Sequence, residues 1–111
     1  MSSSRTMLAW HVARVVGASM RPTLSDGDRV LCRRTTGADV ERGRVVVVER
    51  PDRAGFLVVK RASHRDERGG WWVEGEDESH SHDSWVFGPV SDDAVHARVV
   101  ARLWPHPGRV R

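Results

Sequence analysis

The sequence of 111 residues has no apolar run long enough to span a membrane, and it contains only one cysteine. A membrane-spanning helix needs about 20 consecutive apolar residues, whereas the apolar stretch 7–13 is short and interrupted by His11. No signal-peptide cleavage site follows this stretch. The single Cys32 excludes an internal disulfide, fits a reducing compartment and is expected to be a small buried hydrophobe. These absences predict a soluble, cytoplasmic protein.

The charge balance is basic, with a formal net charge of +3 and an isoelectric point of about 10.3. Such a balance, with Trp71, Trp72 and Trp85 as possible stacking platforms, raises the hypothesis of a small β-barrel that binds nucleic acid. The arginines are interleaved with acidic residues, as in 65–68, and this pattern is typical of a solvated surface. No nucleic-acid partner is therefore expected, and the nucleic-acid module is kept as the competing hypothesis.

Short β-branched runs separated by glycine and proline turns predict a single, mostly β domain with little helix. The strands are expected at 11–16, 28–34, 44–49, 55–63, 71–74 and 95–103. The run 45–48 is four valines and predicts a central strand. One helical turn could form at 39–42. A flexible segment 1–10 and a frayed tail 105–111 are expected on either side of a domain at 11–104.

A small-residue turn presents Ser19. Gly17 and Ala18 leave room for a substrate backbone beside the serine hydroxyl, and Pro22 fixes the chain that follows. The dipeptide 27–28 supplies a turn into the next strand. A serine held in this way is a candidate nucleophile, but its hydroxyl needs a base near neutral pH.

Lys60 is the candidate base. It lies in an apolar strand whose period of two places it on one face with Val58 and Ala62, and places Arg61 on the other face. Burial could lower the pKa of a lysine by roughly 3–5 from about 10.4, which would leave a free amine near pH 7. A lysine whose ammonium extends to water keeps its ordinary pKa. The strand pattern alone leaves both alternatives open.

An acidic, histidine-containing loop offers another hypothesis. His80 and His82 alternate along it, and an extended backbone would place both imidazoles on one side, with four carboxylates nearby as further possible metal ligands. These carboxylates are Glu76, Asp77, Glu78 and Asp83. Acidic loops of this kind are usually solvated, so we expect no metal and no cofactor.

Three motifs in order resemble the type I signal peptidase family of Ser/Lys peptidases. The first is Ser-Met-x-Pro-Thr-Leu-x-x-Gly-Asp-x-Val at 19–30, the second is Lys-Arg at 60–61, and the third spans 75–84 before Gly-Pro-Val at 88–90. The likeness covers roughly 15–104. It implies a signal-peptidase-like domain of coiled antiparallel sheets, with Ser19 as the nucleophile and Lys60 as the general base.

The same resemblance assigns supporting roles. Ser81 matches a serine that orients the lysine, and Asp83 matches an acidic support in the same loop. The oxyanion hole and substrate groove would involve Gly17, Ala18, Ser19, Met20 and Pro22, with the Ser19 backbone N–H as one oxyanion donor.

Two positions depart from the family pattern. Glu-Asp at 76–77 replaces the usual Asp-Asn, and Trp85 replaces an arginine that could pair with the loop carboxylates. Losing that arginine weakens the expected support by Asp83.

Among short members of this family, the sequence is most similar to the maturation proteases of nickel-type superoxide dismutase. This likeness implies a protein substrate, a precursor from which a short N-terminal propeptide is removed. The alternatives are a soluble signal-peptidase-like protease with another substrate, and a self-cleaving peptidase domain of the repressor type.

Overall fold

A single antiparallel sheet forms most of the chain in the computed structural model, which describes residues 9–77, 79 and 82–111. Its strands are β1 (Trp10–Arg14), β2 (Arg29–Arg34), β3 (Val45–Glu49), β4 (Leu57–Arg65), β5 (Trp71–Glu74), β6 (Val95–Trp104) and β7 (Gly108–Arg109). The one α-helix in these residues, α1 (Ser84–Phe87), is a single turn, and two 3-10 turns lie at Gly37–Asp39 and Asp92–Ala94. The prediction of a mostly β domain with little helix is confirmed.

The strand order is β1-β2-β6-β3-β4-β5, with β7 beside β6, and the described strand pairs are antiparallel. The four valines of β3 are buried, because this strand has a neighbour on both sides. The prediction of a central strand at 45–48 is therefore confirmed. The helical turn expected at 39–42 lies earlier, at Gly37–Asp39.

Two apolar cores lie on opposite faces of β3. Alternate side chains of a strand point to opposite faces, so Val45 and Val47 enter the first core, whereas Val46 and Val48 enter the second. The first core also contains Cys32, which is fully buried as predicted, and burial raises the pKa of its thiol to about 11. The second core lies beside β4 and β5.

The segment 105–111 was expected to be frayed, and this expectation is wrong for its end. Gly108–Arg109 pair with β6, and the Val110 N–H donates to the Val100 carbonyl at 2.9 Å. Val110 packs in the first core. Its burial from water holds the segment in place.

The proposed N-terminal boundary stays a prediction, because residues 1–8 lie outside the described part of the chain. Trp10 already belongs to β1 and pairs with Arg33. In the described ranges, no helix has the length and apolar character that crossing a membrane would require.

Candidate active site

The Ser19 turn is anchored by its neighbours. Met20 is 2 % exposed and lies with Leu24 in the first core, and the Leu24 N–H donates to the Met20 carbonyl at 2.9 Å. Gly17, with a φ of +91° that favours glycine, donates its N–H to the Asp26 carboxylate at 2.8 Å. Ser19 itself stays half-buried. The turn therefore presents the serine while its flanks are fixed.

The position of Met20 narrows one assignment in this turn. Met20 was expected to border the substrate groove, but its side chain is an anchor in the first core. Apolar burial of a side chain this large stabilises the turn, by roughly 1.5–3 kcal/mol. Only the Met20 backbone could face a substrate.

A buried carboxylate that sequence reasoning did not single out closes the turn. Asp28 accepts a hydrogen bond from the Ser25 N–H at 2.9 Å, and its carboxylate lies 3.8 Å from the Arg102 guanidinium. Arg102 also donates to the Thr23 carbonyl at 3.1 Å. The sequence identified 27–28 as a turn and as part of the first motif, but not as the source of a buried carboxylate, which needs partners of this kind.

Lys60 is buried, with 3 % of its surface exposed. It pairs in register with Val46, so both point to the second-core side of the sheet, where Ala62 is also buried. Burial is the largest influence and lowers the pKa of the Lys60 ammonium. Attraction to Asp83 raises this pKa and repulsion from Arg50 lowers it, so the net pKa lies below its ordinary value. Of the two alternatives left open by the sequence, the structure supports the buried lysine.

Arg61, the next residue, points to the other face and ties three segments together. Its guanidinium binds the Glu76 carboxylate through Nε at 2.8 Å and through Nη2. It also donates to the carbonyl oxygens of Gly43 at 2.7 Å and Arg111 at 2.8 Å. Thr23 completes the cluster by donating its hydroxyl to Glu76 at 3.0 Å. Glu76, considered in the sequence as a possible metal ligand and as a departure from the family pattern, is thus a structural link to the Ser19 turn.

Asp83 supports the loop without an arginine at position 85. Its carboxylate is 8 % exposed and accepts the N–H groups of Gly75 at 3.3 Å and Trp85 at 3.1 Å, which caps α1. The Ser84 hydroxyl accepts the Val73 N–H at 2.8 Å. Trp85 is 76 % exposed and donates its indole N–H to Glu74. Ser81, His80 and Glu78 lie outside the described residues.

Ser19 and Lys60 therefore each interact with a residue of the third motif, Ser19 with Asp77 and Lys60 with Asp83. The Asp77 N–H donates to the Ser19 carbonyl at 2.8 Å, and Asp83 lies near enough to Lys60 to raise its pKa by attraction. The hydrogen bonds of the described residues do not include one between the Ser19 hydroxyl and the Lys60 amine. In sites without substrate, catalytic hydrogen bonds are often long and shorten when the substrate binds.

The Arg61–Glu76 pair gives a first prediction. Burial raises the pKa of Glu76, but hydrogen bonds from Arg61 and Thr23 outweigh this, so the net pKa lies below 4.5, its ordinary value. Glu76→Gln should lower the free energy of unfolding by about 1–3 kcal/mol at pH 7, because a charged hydrogen-bond acceptor is lost. The difference from wild type should shrink as the pH falls from 4.5, where Glu76 of the unfolded chain takes up a proton, through the lower pKa of Glu76 in the folded chain. Thermal unfolding from pH 3 to 7 measures both effects.

The matched control is Glu41→Gln. Glu41 makes an exposed contact of 3.5 Å with Arg44, so its loss should change stability by less than about 0.5 kcal/mol. Equal destabilisation by the two substitutions would contradict a special role for Glu76.

The structure places some of the residues named in the two competing hypotheses. Trp71 is buried and donates its indole N–H to the Gly37 carbonyl at 2.8 Å, so it cannot stack on a base. In the described ranges, no three histidine, cysteine or acidic side chains are grouped closely enough to hold a metal ion. His82 is exposed, and His80 is outside those ranges.

Comparison with known proteins identifies the family. A family model described as Peptidase S24-like matches residues 6–100. The chain belongs to the Peptidase S24-like family. Membership confirms the prediction of a serine peptidase.

Several curated proteins share this similarity. Mitochondrial inner membrane protease subunit 2 of Mus musculus is 35% identical over 117 residues, covering 85% of this chain and 67% of that protein. Its counterpart in Danio rerio is 37% identical, covering 86% and 64%. Subunit 1 of the same protease in Schizosaccharomyces pombe is 33% identical, covering 88% and 76%. The chain thus spans about two thirds of the length of the subunit 2 proteins.

These comparisons confirm the broader part of the resemblance, to signal-peptidase-like serine peptidases. They also correct the expected location. The prediction of a cytoplasmic protein is wrong, because the similar proteins are named as proteases of the mitochondrial inner membrane. Absence of a long apolar run in a sequence does not decide where a protein acts. The comparisons also give no support to the narrower likeness, to nickel superoxide dismutase maturation proteases.

Proposed function

We propose that this family member cleaves a peptide bond with Ser19 as the nucleophile and Lys60 as the general base, and removes a short N-terminal segment from a protein precursor. The observation that carries the proposal is the burial of Lys60, with its lowered pKa, beside a segment hydrogen-bonded to Ser19. Lys60 is also the single lysine of a chain with 17 arginines. Arginine cannot give up its proton in a protein, so a base at this position has to be lysine.

The chemistry follows from the neutral amine. Lys60 takes the proton of the Ser19 hydroxyl as its oxygen attacks the scissile carbonyl carbon. The resulting ammonium gives its proton to the leaving amine when the carbon–nitrogen bond breaks. A water molecule then attacks the acyl-enzyme ester, with Lys60 again accepting a proton, and Ser19 is released.

The developing oxyanion needs donors that are not already engaged. The Ser19 N–H donates no hydrogen bond within the described part of the chain, which supports its proposed role. Gly17 uses its N–H to bind Asp26 and has no side chain to offer. The backbone at Ser19 is therefore the proposed donor, with Gly17 and Ala18 leaving space for the substrate.

We propose a broad class of substrate and, within it, one specific precursor. The relatives are named as proteases of the mitochondrial inner membrane, so action on precursors at a membrane replaces the cytoplasmic expectation. The narrower proposal, a nickel-type superoxide dismutase precursor, is supported only by the small size and motif likeness of the sequence. This chain spans about two thirds of the length of the subunit 2 relatives. The activity of those full-length proteins is therefore only proposed for this chain.

Co-expression tests both proposals. The chain is produced with a nickel superoxide dismutase precursor, or with a precursor carrying a signal-type N-terminal segment, and intact masses are measured. Loss of a defined N-terminal segment, absent with the Ser19→Ala variant, supports the peptidase. If only the precursor with the signal-type segment is cleaved, nickel superoxide dismutase is ruled out as the substrate. If neither precursor is cleaved, the result counts against the proposed function.

A further prediction concerns Ser81, proposed to orient the Lys60 amine. Ser81→Ala should lower the rate about 10–100-fold, because one hydrogen bond to a catalytic group contributes about 1–3 kcal/mol. His80→Ala and His82→Ala should stay near wild type, with or without a chelator. If these histidines bound a catalytic metal, the histidine variants would lose more activity than Ser81→Ala. Loss of cleavage on addition of a chelator would contradict a mechanism that uses only Ser19 and Lys60.

A further inference from the structure

A basic cleft lies where β2 and β6 meet the turn at 35–40, and neither Ser19 nor Lys60 lines it. Its volume is about 680 Å³. Three arginines line it, Arg33, Arg34 and Arg98, together with Thr35 and Thr36. None of these residues has a part in the proposed cleavage.

Two of these arginines face each other. Arg33 and Arg98 are partners in the antiparallel register of β2 and β6. Directly opposite residues in such a pair have Cβ atoms about 4.5–5.5 Å apart, so like charges there destabilise the sheet. The Arg33 guanidinium also lies 5.3 Å from the centre of the Trp10 ring, which holds it in place.

No carboxylate of the described residues lies within 4.0 Å of Arg33, Arg34 or Arg98. Other arginines are paired, for example Arg50 with Asp52 and Arg61 with Glu76.

Of the remaining charged groups that line the cleft, Asp39 is the one carboxylate among the described residues. The imidazole of His96 contacts Glu49 at 3.3 Å. Arg33 and Arg98 therefore point to the same face of the sheet beside a single lining carboxylate, whereas Arg34, the next residue of β2, points to the opposite face. An anion from outside the chain would balance the two facing positive charges.

We propose that this cleft binds a phosphate group. Guanidinium groups present forked N–H donors that match phosphate oxygens, and the Thr36 hydroxyl adds a neutral donor. The Thr35 hydroxyl donates to the Thr36 carbonyl at 3.3 Å. The phosphate could be free in solution or belong to a phospholipid headgroup, and the chemistry of recognition is the same for both.

The test measures thermal unfolding of the full chain during titration with inorganic phosphate at constant ionic strength. Wild-type protein should show a saturable rise in melting temperature, since a molecule that binds the folded state stabilises it. Arg98→Gln should start at a melting temperature equal to or above wild type, because the repulsion with Arg33 is removed. Its response to phosphate should be at least about tenfold weaker. Arg33→Gln is the second variant if Arg98→Gln does not fold.

The matched control is Arg68→Gln, which removes the same charge from an exposed position outside the cleft. A second arm measures co-sedimentation with phosphatidylglycerol vesicles and with phosphatidylcholine vesicles. A response to inorganic phosphate lost in Arg98→Gln supports a soluble phosphate compound. Binding only to phosphatidylglycerol vesicles, lost in the same variant, supports a headgroup. Equal responses of Arg98→Gln and Arg68→Gln, or no binding in either arm, would overturn the proposal.

Discussion

Ser19→Ala is expected to abolish peptide cleavage while the fold stays intact. The substitution removes the attacking oxygen, and losing the nucleophile of a serine protease typically lowers the rate by several orders of magnitude. Stability should change little, because the turn is held by Met20 and Leu24 in the first core and by Asp28, not by the Ser19 hydroxyl. Cleavage assays on purified protein and thermal unfolding measure the two properties.

Ser25→Ala is the matched control for this experiment. Ser25 is exposed in the same turn, and the hydrogen bond it makes to Asp28 uses its backbone N–H. The variant should keep near wild-type activity. More than about one per cent residual activity in Ser19→Ala would contradict the assignment, given the size of loss expected for a nucleophile.

Lys60→Met should be equally inactive, and Lys60→Arg should be inactive as well. Methionine keeps the length of the side chain without the amine, whereas arginine keeps the charge but cannot serve as a base. Wild-type activity should rise with pH as the ammonium gives up its proton, with a midpoint below the ordinary pKa of 10.5. A pH–rate profile, measured with initial rates, checks this expectation.

The lowered pKa of Lys60 also predicts how the stability of the fold depends on pH. Its pKa is lower in the folded than in the unfolded chain, so folded protein binds fewer protons between these two pKa values. Wild-type stability should therefore rise with pH across that window, and the full penalty for burying the charge applies below it. Lys60→Met lacks this pH dependence and should be at least as stable as wild type near pH 7. An active Lys60→Met variant, with a profile that follows a histidine pKa, would point to a different base.

The sheet was largely predictable because its strands carry local signals. The β-branched run 45–48 and the segment 71–74 were placed correctly, and the period of two correctly separated Lys60 from Arg61. β4 begins and ends two residues later than expected, since Arg65 pairs with Trp71 on the neighbouring strand. β7 was missed because its pairing with β6 and the burial of Val110 depend on tertiary contacts.

The networks that position the site could not be read from local patterns. Arg61 and Glu76 are separated by 15 residues, and Thr23 and Arg102 by 79. Such pairs meet only when the sheet is assembled. A compositional signal for the proposed base was nevertheless present, because the chain uses arginine in 17 of its 18 basic positions and keeps lysine at one.

The burial of Cys32 gives the molecule an intrinsic chemical reporter of its own opening. The single thiol lies fully buried in the first core, the same core that anchors Met20 and Leu24, and burial raises its pKa to about 11. A thiol reagent therefore reacts when this core opens and the thiolate can form. When the core recloses faster than the reagent reacts, the labelling rate reports the free energy of the opening that would also release the Ser19 turn. Site integrity can thus be followed in an unmodified chain, without an engineered probe.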